Sequence, residues 1–260
     1  MNDTMKKILY ILLLLVVPHF AMAQEMTGGD MPAKELGDSA YSQGDYDKAV
    51  AVYEAVLAGQ GHSVELYYNL GNAYFRSNMI GKAILNYERA LRLDPTDDDV
   101  KANLEYAQSR TKDEVAENYE VFLAVWLKAV VALFNVNVWA VAGVVSFIVL
   151  LLSVFVFLFS ARSGIRKTML VFAILSLFVT IFANISALHL YNKMNDDTQA
   201  VVMREEVALK STPDNSGTVL IKIHEGRKVK IVDDTMNGWK EVELEDGTVG
   251  WLQAGVIERI

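Results

Sequence analysis

Two stretches of this chain hold no Asp, Glu, Lys or Arg, one from Ala129 to Ala161 and one from Thr168 to Asn192. Within them lie Val136–Phe159 and Met169–Leu190, each over twenty residues and built mainly from Val, Leu, Ile, Phe and Ala. At ~1.5 Å of rise per residue, a helix of that length crosses a hydrocarbon core of roughly 30 Å. The pattern predicts transmembrane helices over 136–159 and 169–191. Between them, residues 160–168 (SARSGIRKT) carry Arg162, Arg166 and Lys167. Positive charge in a short loop marks the cytoplasmic side, so both flanking parts are expected on the opposite side. Trp139 and Tyr191 suit interfacial anchors. His189 is the one ionisable side chain in either span, which argues for a tether and against an ion or proton pathway.

A second apolar signal opens the chain. Lys6 and Lys7 precede the run Ile8–Val17, and Ala21-Met22-Ala23 follows. This predicts a signal peptide over 1–23 with the mature chain starting at Gln24; the other reading is an uncleaved anchor. Export agrees with the side deduced from the basic loop. A third apolar stretch, 121–134 (VFLAVWLKAVVALF), is too short to span comfortably and is broken by Lys128. It reads either as a helix in the outer interface anchored by Trp126, or as a helix packed on the preceding domain.

Between these signals the spacing is helical and periodic. Over 30–110, Leu36-Gly37 returns as Leu70-Gly71, Ala49 as Ala83, Tyr53 as Tyr87 and Leu57 as Leu91, a period of 34 residues. That period with these residue types resembles the tetratricopeptide repeat. The units are 30–63, 64–97 and a capping half-repeat at 98–110, where Glu105 replaces the repeat glycine. Gly37, Gly71, Ala49 and Ala83 are expected to let paired helices approach, aromatics at 53, 74 and 87 to fill the space between pairs, and Pro95 to stop a helix. The resemblance implies a superhelix whose first helices form a partner-binding face. In the first repeat that face comprises Lys34, Asp38 and Tyr41. In the second it comprises Tyr68, Asn69, Asn72, Phe75 and Arg76, continuing into Asp99 and Asn103. Relatives that clamp a carboxylate use Lys, Asn and Arg here. Lys34 and Asn69 match, but Asp38, Asp99 and Asn103 depart, which argues against a carboxylate ligand. Residues 24–120 carry 18 acidic and 9 basic side chains, so a basic or apolar partner is expected.

Beyond Asn192 the pattern changes to short alternating strands with turn signals at Asn237-Gly238 and Asp246-Gly247. Leu209-Lys-Ser-Thr-Pro213, Glu225-Gly226, Gly238-Trp239 and Gly247-Thr-Val-Gly-Trp251 resemble bacterial SH3-like (SH3b) domains. The resemblance implies a small all-β barrel over 200–260. Trp239 and Trp251 either pack that barrel or line a peptide groove. The expected fold class is thus a multidomain membrane protein: an all-α superhelix, two transmembrane helices and a C-terminal all-β barrel.

Composition narrows the chemistry. The chain has 260 residues, a net charge of −8 and no cysteine. Nucleic acid is not an expected partner, since phosphate contacts need clustered Lys and Arg. Thiol chemistry is excluded, and four scattered histidines suggest no metal site. No nucleophile–base pair stands out, so neither an enzyme activity nor a cofactor is expected. The order of parts resembles the Bacteroides aerotolerance (Bat) family. That resemblance implies a bacterial inner-membrane protein with both mature termini in the periplasm. It also implies other membrane proteins as partners, among them von Willebrand factor A domain proteins and a MoxR-type ATPase, and a role in oxygen or envelope stress tolerance. Peptidoglycan peptides held by the SH3-like part are the alternative ligand.

Overall fold

The computed structural model describes residues 31–113 and 122–260. The expected signal peptide at 1–23 lies outside the described residues. The chain divides into two compact units, one of them Lys128–Lys193 and the other joining the N-terminal helices with Met194–Ile260.

The second unit begins with α1 (Met31–Ser42), α2 (Tyr46–Gln60), α3 (Val64–Arg76), α4 (Ile80–Leu93) and α5 (Asp98–Gln108). Local chemistry sets the starts. Asp45, Ser63 and Asp97 accept hydrogen bonds from the N–H groups of Lys48, Leu66 and Val100, satisfying donors that a helix N-terminus leaves open. The turn inside each pair passes through a left-handed residue, Gly44 at φ 79° and Asn78 at φ 59°. Glycine and asparagine tolerate that conformation at least cost.

Each helix pair is closed around a tyrosine. The Tyr53 and Tyr87 rings are buried to 1% and 2% exposure and lie against Gly37 and Gly71. A Cβ at Gly37 would sit 2.5 Å from the Tyr53 ring, and one at Gly71 would sit 2.6 Å from the Tyr87 ring. The glycines therefore make room for an aromatic of their own pair. This corrects the expectation that Tyr53 and Tyr87 fill gaps between successive pairs. Ala49 and Ala83 are fully buried beside them.

The rest of this unit is one antiparallel sheet: β1 (Gln199–Val202), β2 (Glu206–Lys210), β3 (Val219–His224), β4 (Lys228–Asp233), β5 (Trp239–Glu243), β6 (Val249–Gln253) and β7 (Ile257–Arg259). Its order is β3-β2-β6-β5-β4-β1-β7. The expected barrel is not closed, because β3 and β7 do not pair with each other. One end is tied to α4 and the other to the segment that follows α5. Arg89 and Arg92 of α4 donate to the carbonyl oxygens of Arg259 and Ile260. At the other end the His224 N–H donates to Asp113 at 2.7 Å, and β3 carries a bulge opposite Leu209 and Lys210. Closing the sheet would require those groups to be released.

Helices and sheet share a core. Val201 and Ile260 belong to the same buried cluster as Leu70, Ile84 and Tyr87. Gly226, at φ 84°, faces Ile84 so closely that a Cβ would lie 2.6 Å from its Cδ1. Around the seam run the pairs Lys228–Glu88 at 2.7 Å, Arg89–Glu258 at 3.0 Å and His224–Asp113 at 2.6 Å.

The other unit contains the helical pair α7 (Val136–Phe159) and α8 (Ser163–Met194), preceded by α6 (Phe122–Val131). Both α7 and α8 are long and apolar enough to cross a membrane. They meet at Gly143 and at small hydroxyl residues. Asn184 lies across Gly143, and the hydroxyls of Ser146 and Thr180 hydrogen-bond at 2.9 Å. Two expectations change here. Helix α8 starts inside the segment expected as a loop, since nothing in Ser163–Thr168 stops a helix and Arg166 N already donates to Arg162 O. Trp139 is buried between Phe134 and Phe182 rather than exposed as an anchor, and its indole N–H donates to Val131 O at 2.9 Å.

Replacing Gly71 by Ala should test the tyrosine seat. Helix propensity would favour Ala by about 1 kcal/mol, whereas overpacking costs about 1–3 kcal/mol. The ring cannot retreat freely, because its hydroxyl is held by Asn72. A net loss is expected, read as a lower unfolding midpoint by circular dichroism. Gly226→Ala combines a strained φ with the Ile84 contact. It should lower the melting of the helices together with the sheet, in a single transition.

Candidate partner-binding groove

Helices α1, α3 and α5 follow one another as the first members of their pairs, so residues 34 apart fall at equivalent positions. Positions 38 and 72 carry the two polar hubs. Asp38 accepts from the Tyr53 hydroxyl at 2.7 Å, from Asn69 Nδ2 at 3.3 Å and from Lys34 Nζ at 2.6 Å. Asn72 Oδ1 accepts from the Tyr87 hydroxyl at 2.8 Å and from Asn103 Nδ2 at 2.9 Å, and Asn103 also donates to the Tyr68 hydroxyl at 3.0 Å. Each repeat thus seats a tyrosine ring on a glycine and hooks its hydroxyl on the next residue.

The aromatic part of the face lies beside this ladder. Tyr41 meets Tyr46 edge-on at 5.4 Å, and Arg76 donates to the Tyr46 hydroxyl at 2.6 Å with its guanidinium 4.9 Å from that ring. Phe75 contacts Tyr106 at 5.4 Å, and Tyr106 is 56% exposed. The sequence reading brought together Lys34, Tyr41, Tyr68, Asn69, Asn72, Phe75 and Arg76, and the structure places all of them on these first helices. It gives Asn69 and Asn72 structural hydrogen bonds that were not foreseen. Tyr46 and Tyr106 were missed. Tyr106 is legible in retrospect, since it stands 34 residues after Asn72 and 68 after Asp38. Tyr46 belongs to a second helix and carries no such signal.

The electrostatics follow from the contacts. Burial opposes ionisation of Asp38, but hydrogen bonds from Lys34 and Tyr53, with the ammonium charge beside it, hold its carboxyl below the usual range. Burial, reinforced by the bond to Asp38, pushes the Tyr53 phenol above its ordinary value. Lys34 is neutralised twice, by Asp38 and by Glu65 at 2.9 Å. A lysine so engaged is poorly placed to clamp a carboxylate.

Residues 34–98 match the family model described as tetratricopeptide repeat. The protein contains tetratricopeptide repeats. No curated protein matches the chain. In the tetratricopeptide segment the repeat positions Gly37, Ala49, Gly71 and Ala83 are packing residues, and Pro95 follows the end of α4.

The two tryptophans of the sheet occupy different settings. Neither belongs to the buried core formed by Leu209, Val242 and Leu252. Trp239 lines a cavity of about 600 Å³ together with Arg204, Glu206, Lys210 and Val256. Lys210 Nζ lies 5.7 Å from its ring centre. Trp251 sits half-buried opposite Lys210 and Glu241, outside that cavity. Among the described residues no cluster of His, Asp and Glu could hold a metal ion.

Asp38 makes a pH prediction with a definite sign. Its folded-state value is depressed, so it adds stability above the ordinary carboxyl value of about 3.9, and that stability is lost as pH falls through the lower folded value. The second repeat carries Asn72 at the same position and contributes no such dependence. Asp38→Asn should therefore flatten the acid side of a plot of unfolding midpoint against pH. An unchanged slope would show that Lys34 and Tyr53 do not bias this carboxyl.

Proposed function

We propose that this protein is a non-enzymatic, membrane-tethered scaffold that binds partner proteins through its tetratricopeptide groove. The observation that carries this reading is the exposed Tyr106 ring, backed by the partly buried Phe75, on repeats of a family that mediates protein–protein interaction. Helices α7 and α8 are the tether, with the basic segment at 160–168 on the cytoplasmic side and both mature ends in the periplasm. The order of signal peptide, repeats, paired spans and SH3-like sheet supports placing it with the BatE-type members of the Bat family. It would act there in a complex with von Willebrand factor A domain proteins that serves oxygen or envelope stress tolerance. The cavity at Trp239 favours a second reading, in which the SH3-like part binds cell-wall or other peptides in the envelope.

Absence of cysteine makes the topology directly testable. Single cysteines at Ala51, Ser163 and Asn237 are to be exposed on spheroplasts to a membrane-impermeant thiol reagent. Ala51 and Asn237 should label, and Ser163 should label only after permeabilisation; the opposite pattern reverses the orientation. Removing the whole sheet is a poor test of the second reading, because the sheet shares a core with α4. Point variants separate the two readings. Arg76→Ala with Tyr106→Ala should abolish co-purification of membrane partners, and Trp239→Ala should leave it intact. The reverse outcome transfers the binding role to the sheet.

A further inference from the structure

The first-helix face has an uneven distribution of charge once internal pairs are removed. Lys34 is held between Asp38 and Glu65, and Lys101 is held by Asp98 at 2.8 Å. Arg76 is turned onto the Tyr46 ring. Glu35 and Asp99 are exposed and have no ion-pair partner among the described residues. Both stand at groove positions, Glu35 one repeat before Asn69 and Asp99 one repeat after Glu65. Arg76 closes α3 and Arg110 follows the end of α5, so the uncompensated acids occupy the N-terminal half of the face. Asp99 also favours the start of α5 by helix-dipole interaction, but Glu35 lies past the first turn of α1 and has no such role. Beside these acids is an apolar surface. Tyr106 is more than half exposed and Phe75 packs against it.

We infer that the groove accepts an extended cationic segment of a partner protein, with an apolar side chain of that segment packed on Phe75 and Tyr106. The inference rests on the groove reading above and adds the chemistry of the occupant. Lysine or arginine of the ligand meets Glu35 and Asp99, which have no ion-pair partner among the described residues. Aromatic residues dominate binding energy where they become desolvated, so Tyr106 supplies affinity while the acids supply selectivity. An acidic segment is disfavoured twice, because it meets these carboxylates and because Lys34 is already engaged.

The test uses the full chain in lipid nanodiscs and two short synthetic peptides of the same Leu and Trp content. One carries lysines and the other glutamates, and binding is read by fluorescence anisotropy. The lysine peptide should bind at least about tenfold more tightly at low salt. The difference should shrink as ionic strength rises toward about 1 M, where the screening length is ~3 Å. Glu35→Lys with Asp99→Lys should reverse the preference, and Glu241→Lys with Asp246→Lys, on the sheet, should not. Tyr106→Ala should weaken both peptides by a similar factor. Equal affinities, a preference for glutamate, or the same shift from the sheet variants would overturn the cationic assignment. In those cases a retained Tyr106→Ala effect would still uphold the groove itself. Binding by neither peptide, or binding insensitive to Tyr106→Ala and to charge reversal, overturns both.

Discussion

The tyrosine seated in each helix pair is the contact on which the rest of the helical part depends. Its ring needs the space that Gly37 or Gly71 leaves, and its hydroxyl needs the acceptor at the next position, Asp38 or Asn72. Ring and hydroxyl together fix the distance between the two helices and their rotation about their axes. A glycine inside a helix costs about 1 kcal/mol of propensity relative to alanine. Burying an aromatic ring and satisfying its hydroxyl offsets that cost. The same logic explains the cap. Helix α5 has no second helix among the described residues, so there is no tyrosine to seat, and Glu105 stands where the repeats have glycine.

That geometry also decides which side chains a partner can reach. The hydroxyl acceptors are drawn into the packing network, and Asn69 and Asn103 link one repeat to the next through Asp38 and Asn72. The proposed binding surface and the inter-repeat scaffold are therefore built from neighbouring positions on the same helices. Residues at the edge of the network, Arg76 and Tyr106, are the ones with exposure to spare. A lost partner contact at Asn72 could not be told from a loosened repeat, whereas one at Tyr106 could.

The sheet is joined to the repeats by a shared core and by hydrogen bonds at both of its ends. Arginines of α4 satisfy carbonyls at the close of β7, and Asp113 satisfies an N–H of β3. An open sheet edge is a site for unwanted pairing, and covering it with another element is a common remedy. Here the cover comes from the tetratricopeptide part. The helix bonded to the sheet, α4, is also the one that carries Tyr87. The groove and the Trp239 cavity belong to one folded unit.

Periodicity made the local elements legible. The 34-residue spacing located the repeats, the uncharged runs located α7 and α8, and alternation with Gly turns located the strands, because each of these signals is set by residues close in sequence. Register along the repeat would also have found Tyr106. What the chain concealed was every contact made across long separations. The ring of Tyr87 on Gly71, Lys34 held by a glutamate of the next helix pair, Trp139 folded back onto Val131, and β7 held by α4 each depend on which surfaces meet after packing. The barrel was expected to close because its turn motifs are local, and it stays open with its two end strands bonded to α4 and to Asp113, more than a hundred residues away. Sequence alone determined which segments are helices, which of them are long and apolar enough to cross a membrane, and which are strands; tertiary structure decided which charges are paired and which edges are covered, since both are sums over neighbours that only folding assembles.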